Sequence, residues 1–512
     1  MTSPTANRIP AAVHSIHLIA ACGTAMGALA AMLKDSGYSV TGSDHKVYPP
    51  ISVFLAEKGI AVADGFDGAN ISSDTDLVVV GNAVSRGNPE VVRMLALGVP
   101  YCSMPQALNH FFAAGKKPVV VTGTHGKTTT SAMIAWMLHA AGLDPSFMIG
   151  GILQNFGSNY RLGRGAQIVL EGDEYDTAFF DKGPKFLHYI PHLAVLTSVE
   201  FDHADIFRDL NQVKSAFDRL LAQMPAESTL IAYDADPNVA ALLTGRRCRI
   251  ELYGRELASP WRLGTVSLQP PRTAFEVFKN RRLYGHFETE LPGGHNLLNL
   301  LASIAVADHL GIPAATTAGA IATFRGAKRR QEIRGCKNGV TVIDDFAHHP
   351  TAVRETIQAV KPHYPAGRLI AVFEPRTNSS MRRIFQQAYA HAFDGADLIC
   401  IRQPPLLQKV PADDRFSSQQ LVDDLRGQGK AAHFFPDTDR IIAFLARVAR
   451  PGDAILVMSN GGFDNIHTRL LDALYRAKIL AFSASTVSTG HLPRAAPDGG
   501  AFFRVDNSPV FR

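Results

Sequence analysis

The stretch Val119-Val-Val-Thr-Gly-Thr-His-Gly-Lys-Thr-Thr-Thr130 decides how this chain is read. The apolar run from Pro118 to Val121 has the character of a buried strand, and Ser131 to His139 reads as a helix. Gly123, Gly126 and Lys127 stand between them. A strand, a glycine-containing loop and a helix N-terminus make an anion site, because free backbone N–H groups and the positive end of the helix dipole face one place. Glycines let the backbone approach a phosphate, the lysine adds a mobile positive charge, and a threonine hydroxyl after it can ligate Mg²⁺. Val121 occupies the position of the first glycine in the general phosphate-loop pattern, so the match is to a shorter loop, Gly123-x-x-Gly126-Lys127-Thr128. The alternative is an ordinary glycine turn with a surface lysine.

At 512 residues the chain has length for roughly three domains, each able to bury its own core. It is 46% hydrophobic and 19% charged with a net charge of +5, a globular composition with only a mild basic excess. Without a concentrated Lys/Arg run, that excess fits acidic small molecules, and no nucleic-acid partner is expected. Five scattered cysteines without a Cys-x-x-Cys pair suggest reduced thiols in a cytoplasmic enzyme. Arg8 to Cys22 superficially resembles a signal peptide, but His14, Ser15 and His17 interrupt its apolar core and the segment serves better as a first strand. No run of about 20 apolar residues occurs elsewhere, so no membrane span is expected.

Around the phosphate loop the chain divides into an α/β protein of three domains. Residues 1–13 read as a loose tail. Residues 14–112 read as a Rossmann-like domain: strand His14–Ala21, a turn at Cys22, Gly23 and Thr24 running to Gly27, helix Ala28–Ser36, and a second strand ending in Asp44. Ala20 and Ala21 stand where a dinucleotide fingerprint would begin, so a nucleotide is indicated without specifying NAD. Strands over 77–82 and 100–103 flank a helix over 89–97.

Residues 113–330 form the central domain, a parallel sheet of the phosphate-loop type. Its strands Gln167–Glu171 and Leu193–Thr197 end in the clusters Glu171-Gly-Asp-Glu-Tyr-Asp176 and Glu200-Phe-Asp-His203. Ligands of open α/β sheets bind beyond the carboxyl ends of the strands, and carboxylates facing a phosphate loop suit Mg²⁺ and ATP. Each acid alone would read as a solvated loop residue; their convergence carries the functional reading. Gly293 to Ser303 opens a helix on which His295, Asn296 and Asn299 could meet adenine or ribose, with N-capping as the plainer alternative. The cations of Phe324 to Arg334 suit a developing phosphoryl charge, or a solvated linker face.

Residues 331–480 alternate strands and helices again, with the polar clusters Asp345-Phe-Ala-His-His-Pro350, Glu374-Pro-Arg-Thr-Asn378 and Ser459-Asn-Gly-Gly462 after strands. Residues 481–512 turn to Ser, Thr, Gly, Pro and Ala and read as a disordered tail.

In this order, Gly-Thr-His-Gly-Lys-Thr-Thr, Glu-x-Asp-Glu, Asp202-His203, Gly-x-His-Asn, Arg329-Arg330 and Asp-Asp-Phe-Ala-His-His-Pro resemble the Mur ligase family of peptidoglycan synthesis, over residues of roughly 14 to 480. Further segments, Gly81 to Pro89, Asp173 to Lys182, Glu200 to Phe207, Glu374 to Arg376 and Met458 to Phe463, resemble the branch that recycles peptidoglycan by joining UDP-N-acetylmuramate to L-alanyl-γ-D-glutamyl-meso-diaminopimelate. The resemblance implies ATP and Mg²⁺ as cofactors. It implies UDP-N-acetylmuramate and the tripeptide, with tetra- or pentapeptides open, as partners; it leaves the oligomeric state open.

Carried over by residue, Lys127 and the amides of Gly123, Thr124, His125, Gly126, Thr128 and Thr129 would hold phosphates. Thr128, Glu171, Glu174 and His203 would surround the metal. His295, Asn296 and Asn299 would lie at the nucleoside, with Asn296 as the adenine contact, and Arg330 and Asp345 would reach the nucleotide from the third-domain side. Lys127, His203 and Arg330 would serve catalysis. Cys22, Gly23, Thr24, Asp44 and Asn82 would hold the UDP-sugar, and Arg376 and Asn460 would meet the peptide. Several family members place a carbamylated lysine after the Asp-His motif; Lys214 is not assigned that role.

The implied chemistry is ATP-dependent amide-bond formation through an acyl phosphate. One alternative is the same reaction with free L-alanine as amine. Others are a nicotinamide dehydrogenase, suggested by the first βαβ unit alone, and a nucleotide-binding regulator that makes no bond.

Overall fold

The computed structural model describes residues 7–45, 47, 48 and 50–487, with side chains up to residue 476. Its first sheet consists of β1 (Ser15–Ile19), β2 (Ser39–Asp44), β3 (Ala61–Asp64), β4 (Leu77–Val80) and β5 (Tyr101–Ser103), all parallel in the order β3-β2-β1-β4-β5. The order reverses beside β1, the arrangement that opens a ligand crevice at the strand ends. The first helix begins at Thr24, four residues before the expected Ala28, because Gly23 in extended conformation serves as its N-cap. Ile9 and Val13, expected in a loose tail, pack against this unit's core.

The second sheet contains β6 (Lys117–Thr122), β7 (Ser146–Leu153), β8 (Ser158–Arg161) and β9 (Gln167–Gly172). A hairpin of β10 (Asp176–Ala178) and β11 (Asp181–Pro184) stands apart from it. The sheet continues with β12 (Leu193–Leu196), β13 (Thr229–Tyr233), β14 (Arg249–Gly254), β15 (Trp261–Gln269), β16 (Arg272–Lys279) and β17 (Arg282–Thr289). The order is β17-β16-β15-β14-β13-β12-β6-β9-β7-β8, so β6 sits between strands that follow it on opposite sides. Its Val119, Val120 and Val121 are fully buried, as a strand covered on both faces requires. The segment over 226–287, from which the sequence yields little, supplies the parallel strands β13 and β14 and then the antiparallel extension β15–β17 of this sheet.

The third sheet runs β18 (Glu332–Lys337), β19 (Val340–Asp345), β23 (Ala454–Met458), β20 (Leu369–Phe373), β21 (Leu398–Arg402) and β22 (Ala432–Phe435) in spatial order, with only β18 antiparallel. The last helix, Ile466–Val487, extends past residue 481, where composition predicts a tail to begin. Its apolar Ile466, Leu470 and Leu474 are buried at helical spacing against the sheet, which carries the helix onward. The remaining tail, from residue 488, and residues 1–6 lie outside the described residues.

Glu374, at the end of β20 and fully buried, accepts from Ser459 Oγ at 2.7 Å and pairs with Arg402, which also reaches Asp464 at 2.7 Å. Glutamine at 374 keeps the shape and one acceptor but removes the charge that Arg402 faces. The Glu374→Gln variant is expected to lose about 1–3 kcal/mol of unfolding free energy in denaturant titrations, the cost of a buried charged group left short of its partner.

Candidate active site

The phosphate loop sits at the switch point, on the carboxyl end of β6. Gly123 has φ 123°, and a Cβ there would lie 2.2 Å from Thr197 Oγ1 and 2.8 Å from the Ser198 amide nitrogen. Gly126 has φ 80°, and its Cβ would lie 2.5 Å from Asn299 Oδ1. Both positions therefore demand glycine for conformation and for space. The helix begins at Lys127, four residues before the expected Ser131, directly after Gly126 in left-handed conformation. Its first-turn N–H groups have no intrahelical acceptor and face outward from the loop.

The amides of Thr124 and His125, expected to face phosphate, are bonded to Ser198 instead: Thr124 donates to the Ser198 carbonyl at 2.9 Å and His125 to Ser198 Oγ at 3.1 Å. They shape the loop by fastening it to the segment after β12. Those two bonds leave the Gly126 amide and the first turn of the helix, from Lys127 through Thr129, as the candidate anion donors.

The acidic and basic side chains form two groups around that turn. In one, Thr128 Oγ1 donates to Glu171 Oε1 at 3.0 Å, Arg330 Nη2 donates to Thr128 Oγ1 at 3.0 Å, and Glu171 Oε2 accepts from the Gly150 amide at 2.7 Å. In the other, Lys127 Nζ lies 2.9 Å from Glu174 Oε2, and His203 Nε2 lies 3.2 Å from Glu174 Oε1. Lys127 also donates to the carbonyls of Gly123 at 2.6 Å and Thr124 at 3.2 Å. Asp173, quoted in the sequence cluster but given no role there, completes a carboxylate–carboxylate–imidazole group with Glu174 and His203 whose ligand atoms lie within 4.8 Å of one another.

Burial disfavours the charge on Lys127, but Glu174, Asp173 and Glu171 outweigh it and raise its pKa. The Glu174 carboxyl is likewise held down by Lys127 and His203 against the effect of burial. Burial also lowers the His203 pKa, yet Glu174, Asp202 and Asp173 raise it on balance to about 9. A histidine raised in the folded state contributes stability that is full below its ordinary value of about 6.5 and is lost as pH rises through the folded value. The ligand-free protein should therefore lose melting temperature between about pH 6.5 and about pH 9. Comparison with His203→Gln checks this, since that variant should show a flatter profile over the same range.

From the other side come Arg329, Arg330 and Gln331. Arg329 (φ 61°) and Gln331 (φ 53°) adopt left-handed conformations, which cost about 1 kcal/mol or more apiece for residues with a Cβ. This backbone turns the two arginines apart. Arg330 reaches Thr128 in the phosphate loop, whereas Arg329 donates to the Ser459 and Gly461 carbonyls at 2.6 and 2.7 Å in the third unit. Both guanidinium groups lie over the Phe346 ring, 5.2 and 4.9 Å from its centroid. Asp345 is buried and accepts from the amides of Gln331 and Ala347 at 2.9 and 2.7 Å, and burial raises its pKa despite Arg330.

On the helix Gly294–His309, Asn296 donates its amide to the Pro292 carbonyl at 2.8 Å and to Gln331 Oε1 at 3.1 Å. Asn299 donates to Asn296 Oδ1 at 3.2 Å and packs on Gly126. Asn299 thus braces the phosphate loop, a role that helical spacing alone does not reveal. His295 is pushed down to about 4 by burial and the nearby His125, so it is neutral.

In the first unit, Asp44 Oδ2 accepts from the Cys22 amide at 2.8 Å, closing the turn that holds Gly23 and Thr24. Burial, with Asp44 and Asp64 adding to it, pushes the Cys22 thiol up to about 11. Asn82 donates to the Asp176 carbonyl, tying the first unit to the central one. Arg376 lies 3.9 Å from Glu374 and against Gly461, and the Asn460 carbonyl accepts from Arg329 at 3.4 Å. Lys214, left without a role in the sequence, points to Asn238 Oδ1 at 3.4 Å.

Three family models match the chain: the Mur ligase family catalytic domain over residues 15–116, the Mur ligase middle domain over 121–307, and the Mur ligase glutamate ligase domain over 329–461. The UDP-N-acetylmuramate–L-alanyl-γ-D-glutamyl-meso-2,6-diaminoheptandioate ligase of Escherichia coli is 40% identical over 90% of this chain and 98% of its own. A UDP-N-acetylmuramate–L-alanine ligase of Desulforamulus reducens is 33% identical over 90% and 97%. Among solved structures, a murein peptide ligase of Psychrobacter arcticus is 34% identical with a TM-score of 0.69, covering 90% of this chain and 99% of that one. The UDP-N-acetylmuramate–alanine ligase of Thermotoga maritima is 25% identical with a TM-score of 0.74, covering 92% and 99%. The two measures rank the branches in opposite order. A global superposition of three linked units is sensitive to how the units are set against one another, so sequence identity is the better guide to substrate.

Proposed function

This chain belongs to the Mur ligase family, and from that premise we propose that it is the ATP-dependent ligase joining UDP-N-acetylmuramate to L-alanyl-γ-D-glutamyl-meso-diaminopimelate, in peptidoglycan recycling. The observation that carries the reading is the 40% identity over nearly the whole length of a relative named for that reaction. The geometry of the phosphate loop supports it.

A carboxylate is a poor acyl donor because oxide would have to leave. Transfer of the ATP γ-phosphoryl group to the lactyl carboxylate makes an acyl phosphate. The peptide's amine then adds to the acyl carbon, and phosphate departs from the tetrahedral intermediate. Phosphoryl transfer asks the protein mainly for position and charge. Lys127, held by Glu174 and the Gly123 carbonyl, and Arg330, held by Thr128, converge on the first helical turn from two sides and are suited to hold transferring phosphoryl oxygens. Asn296, with its amide on Gln331, is the adenine contact once Gln331 yields.

The hydroxyl of Thr128 and the carboxylate of Glu171 are hard oxygen donors at a phosphate site, which fits Mg²⁺, with Glu174, Asp173 and His203 beside them. The ion would neutralise phosphate charge when bound. The first unit, around Cys22, Gly23, Thr24, Asp44 and Asn82, is assigned to the UDP-sugar. The third, around Arg376 and Asn460, is assigned to the peptide. Contacts between units, such as Thr351 to Glu200, would exclude water from the acyl phosphate.

The test is phosphate release from Mg–ATP with UDP-N-acetylmuramate, comparing tripeptide, L-alanine and no amine. Release with the tripeptide alone, with a product whose mass is the sum of the two substrates less one water, is the expected result. Release with L-alanine alone moves the protein to the biosynthetic branch, which includes relatives 32–33% identical to it.

A further inference from the structure

We propose that the chain carries a second, transition-metal site made by His125, Glu200 and His349, separate from the Mg–ATP site and bridging the central and third units. The three residues come from the phosphate loop, the segment after β12, and the start of the helix Pro350–Val360. Their ligand atoms lie within 4.8 Å of one another. His125 Nε2 is 3.3 Å and His349 Nδ1 is 3.6 Å from the same Glu200 oxygen, Oε2.

Those separations match a tetrahedral ion. Bonds of about 2.0–2.2 Å to nitrogen and oxygen place neighbouring ligand atoms about 3.3–3.6 Å apart. The third edge, between the imidazoles, is the looser one, and His125 is partly exposed, so its ring has room to adjust. Two imidazoles and one carboxylate select zinc-class ions over Mg²⁺, which prefers all-oxygen surroundings. With three protein ligands the fourth position stays open.

An independent observation concerns the other face of His349. Its Nε2 lies 3.1 Å from the Phe201 carbonyl, which fixes that nitrogen as the N–H donor and leaves Nδ1 with its lone pair toward Glu200. An outer-shell carbonyl of this kind is the usual support of a metal-binding histidine. Phe385 packs on the ring at 4.8 Å and His125 at 4.8 Å, fixing its orientation. Two hydrogen bonds share the site: Thr351 Oγ1 donates to Glu200 Oε2 at 2.7 Å, and the Thr351 amide donates to His349 Nδ1 at 3.3 Å. The first can persist beside a metal; the second is long and would be given up.

Such an ion would staple the third unit to the phosphate loop, so its effect belongs to the closed arrangement of the units. Zinc uptake by the full chain can be measured by competition with a chromogenic chelator at saturating Mg²⁺. The variants are Glu200→Gln, which keeps the shape and the Thr351 bond, and His349→Asn, which keeps a good helix N-cap. His203→Gln serves as the control for the ATP-site cluster. One tightly held equivalent of Zn²⁺ is expected, weakened about tenfold or more in both Glu200→Gln and His349→Asn, unchanged in His203→Gln, and raising the melting temperature of the parent but not of those two variants. Absence of tight zinc binding overturns the proposal. So do parent-like affinity in either Glu200→Gln or His349→Asn, and an equal loss in His203→Gln. Unchanged far-ultraviolet circular dichroism and Mg–ATP binding in the variants separate loss of the site from loss of the fold.

Discussion

Replacing Lys127 by methionine is expected to lower tripeptide-dependent phosphate release by a factor of about 10²–10³, the scale of losing one preorganised charge donor at a reacting group. Methionine keeps much of the apolar stem, so the change isolates the ammonium. In the ligand-free protein that ammonium is occupied by Glu174, the Gly123 carbonyl and the Thr124 carbonyl. Once it is removed, Glu174 still faces His203, whose raised pKa of about 9 keeps it cationic at neutral pH. Stability should therefore fall by about 1–3 kcal/mol, because the buried Glu174 keeps only His203 as a partner, while the chemical step collapses. Steady-state phosphate release and thermal unfolding on the same preparation test both halves. A loss smaller than about tenfold would remove Lys127 from phosphoryl transfer.

The second large effect is structural. Gly123→Ala is expected to cost about 4 kcal/mol of unfolding free energy, combining a disallowed backbone conformation with overpacking. At φ 123° a side chain is strained whatever the space, and here the added carbon would also sit 2.2 Å from Thr197 Oγ1 and 2.9 Å from the Ser198 carbonyl. Neither neighbour can yield easily. Thr197 Oγ1 is bonded to the carbonyls of Thr122 and His125, and the Ser198 carbonyl accepts from Thr124. Chemical denaturation reads the loss directly. A variant as stable as the parent would mean that the loop can relax away from β12, and the fastening by Ser198 would lose its meaning.

Much of this protein is legible in order along the chain. The valine run before Gly123, the glycine spacing, Lys127 and Thr128, and the acids after β9 and β12 are local patterns. Strand burial, glycine turns and helix starts are fixed by residues only a few positions apart. The same holds for the alternating strands and helices of the third unit. The resemblance to the Mur ligases rests on those local segments taken together, and the family models and relatives bear it out.

What the sequence does not decide are relations between distant segments. Two adjacent arginines look equivalent in the chain, yet a left-handed backbone on either side of Arg330 sends one to the phosphate loop and the other to the third unit. Asn299 reads as a nucleoside contact from its spacing, and only the structure shows that it also packs against Gly126 of the phosphate loop. The amides of Thr124 and His125 read as phosphate donors until Ser198 is seen to hold them. His125, Glu200 and His349 are separated by 75 and 149 positions and belong to three motifs. Local patterning determined which strands, turns and charged groups this chain has. Only packing of the units decided which groups meet, because side-chain direction over such separations follows from the closed tertiary structure and not from any periodicity.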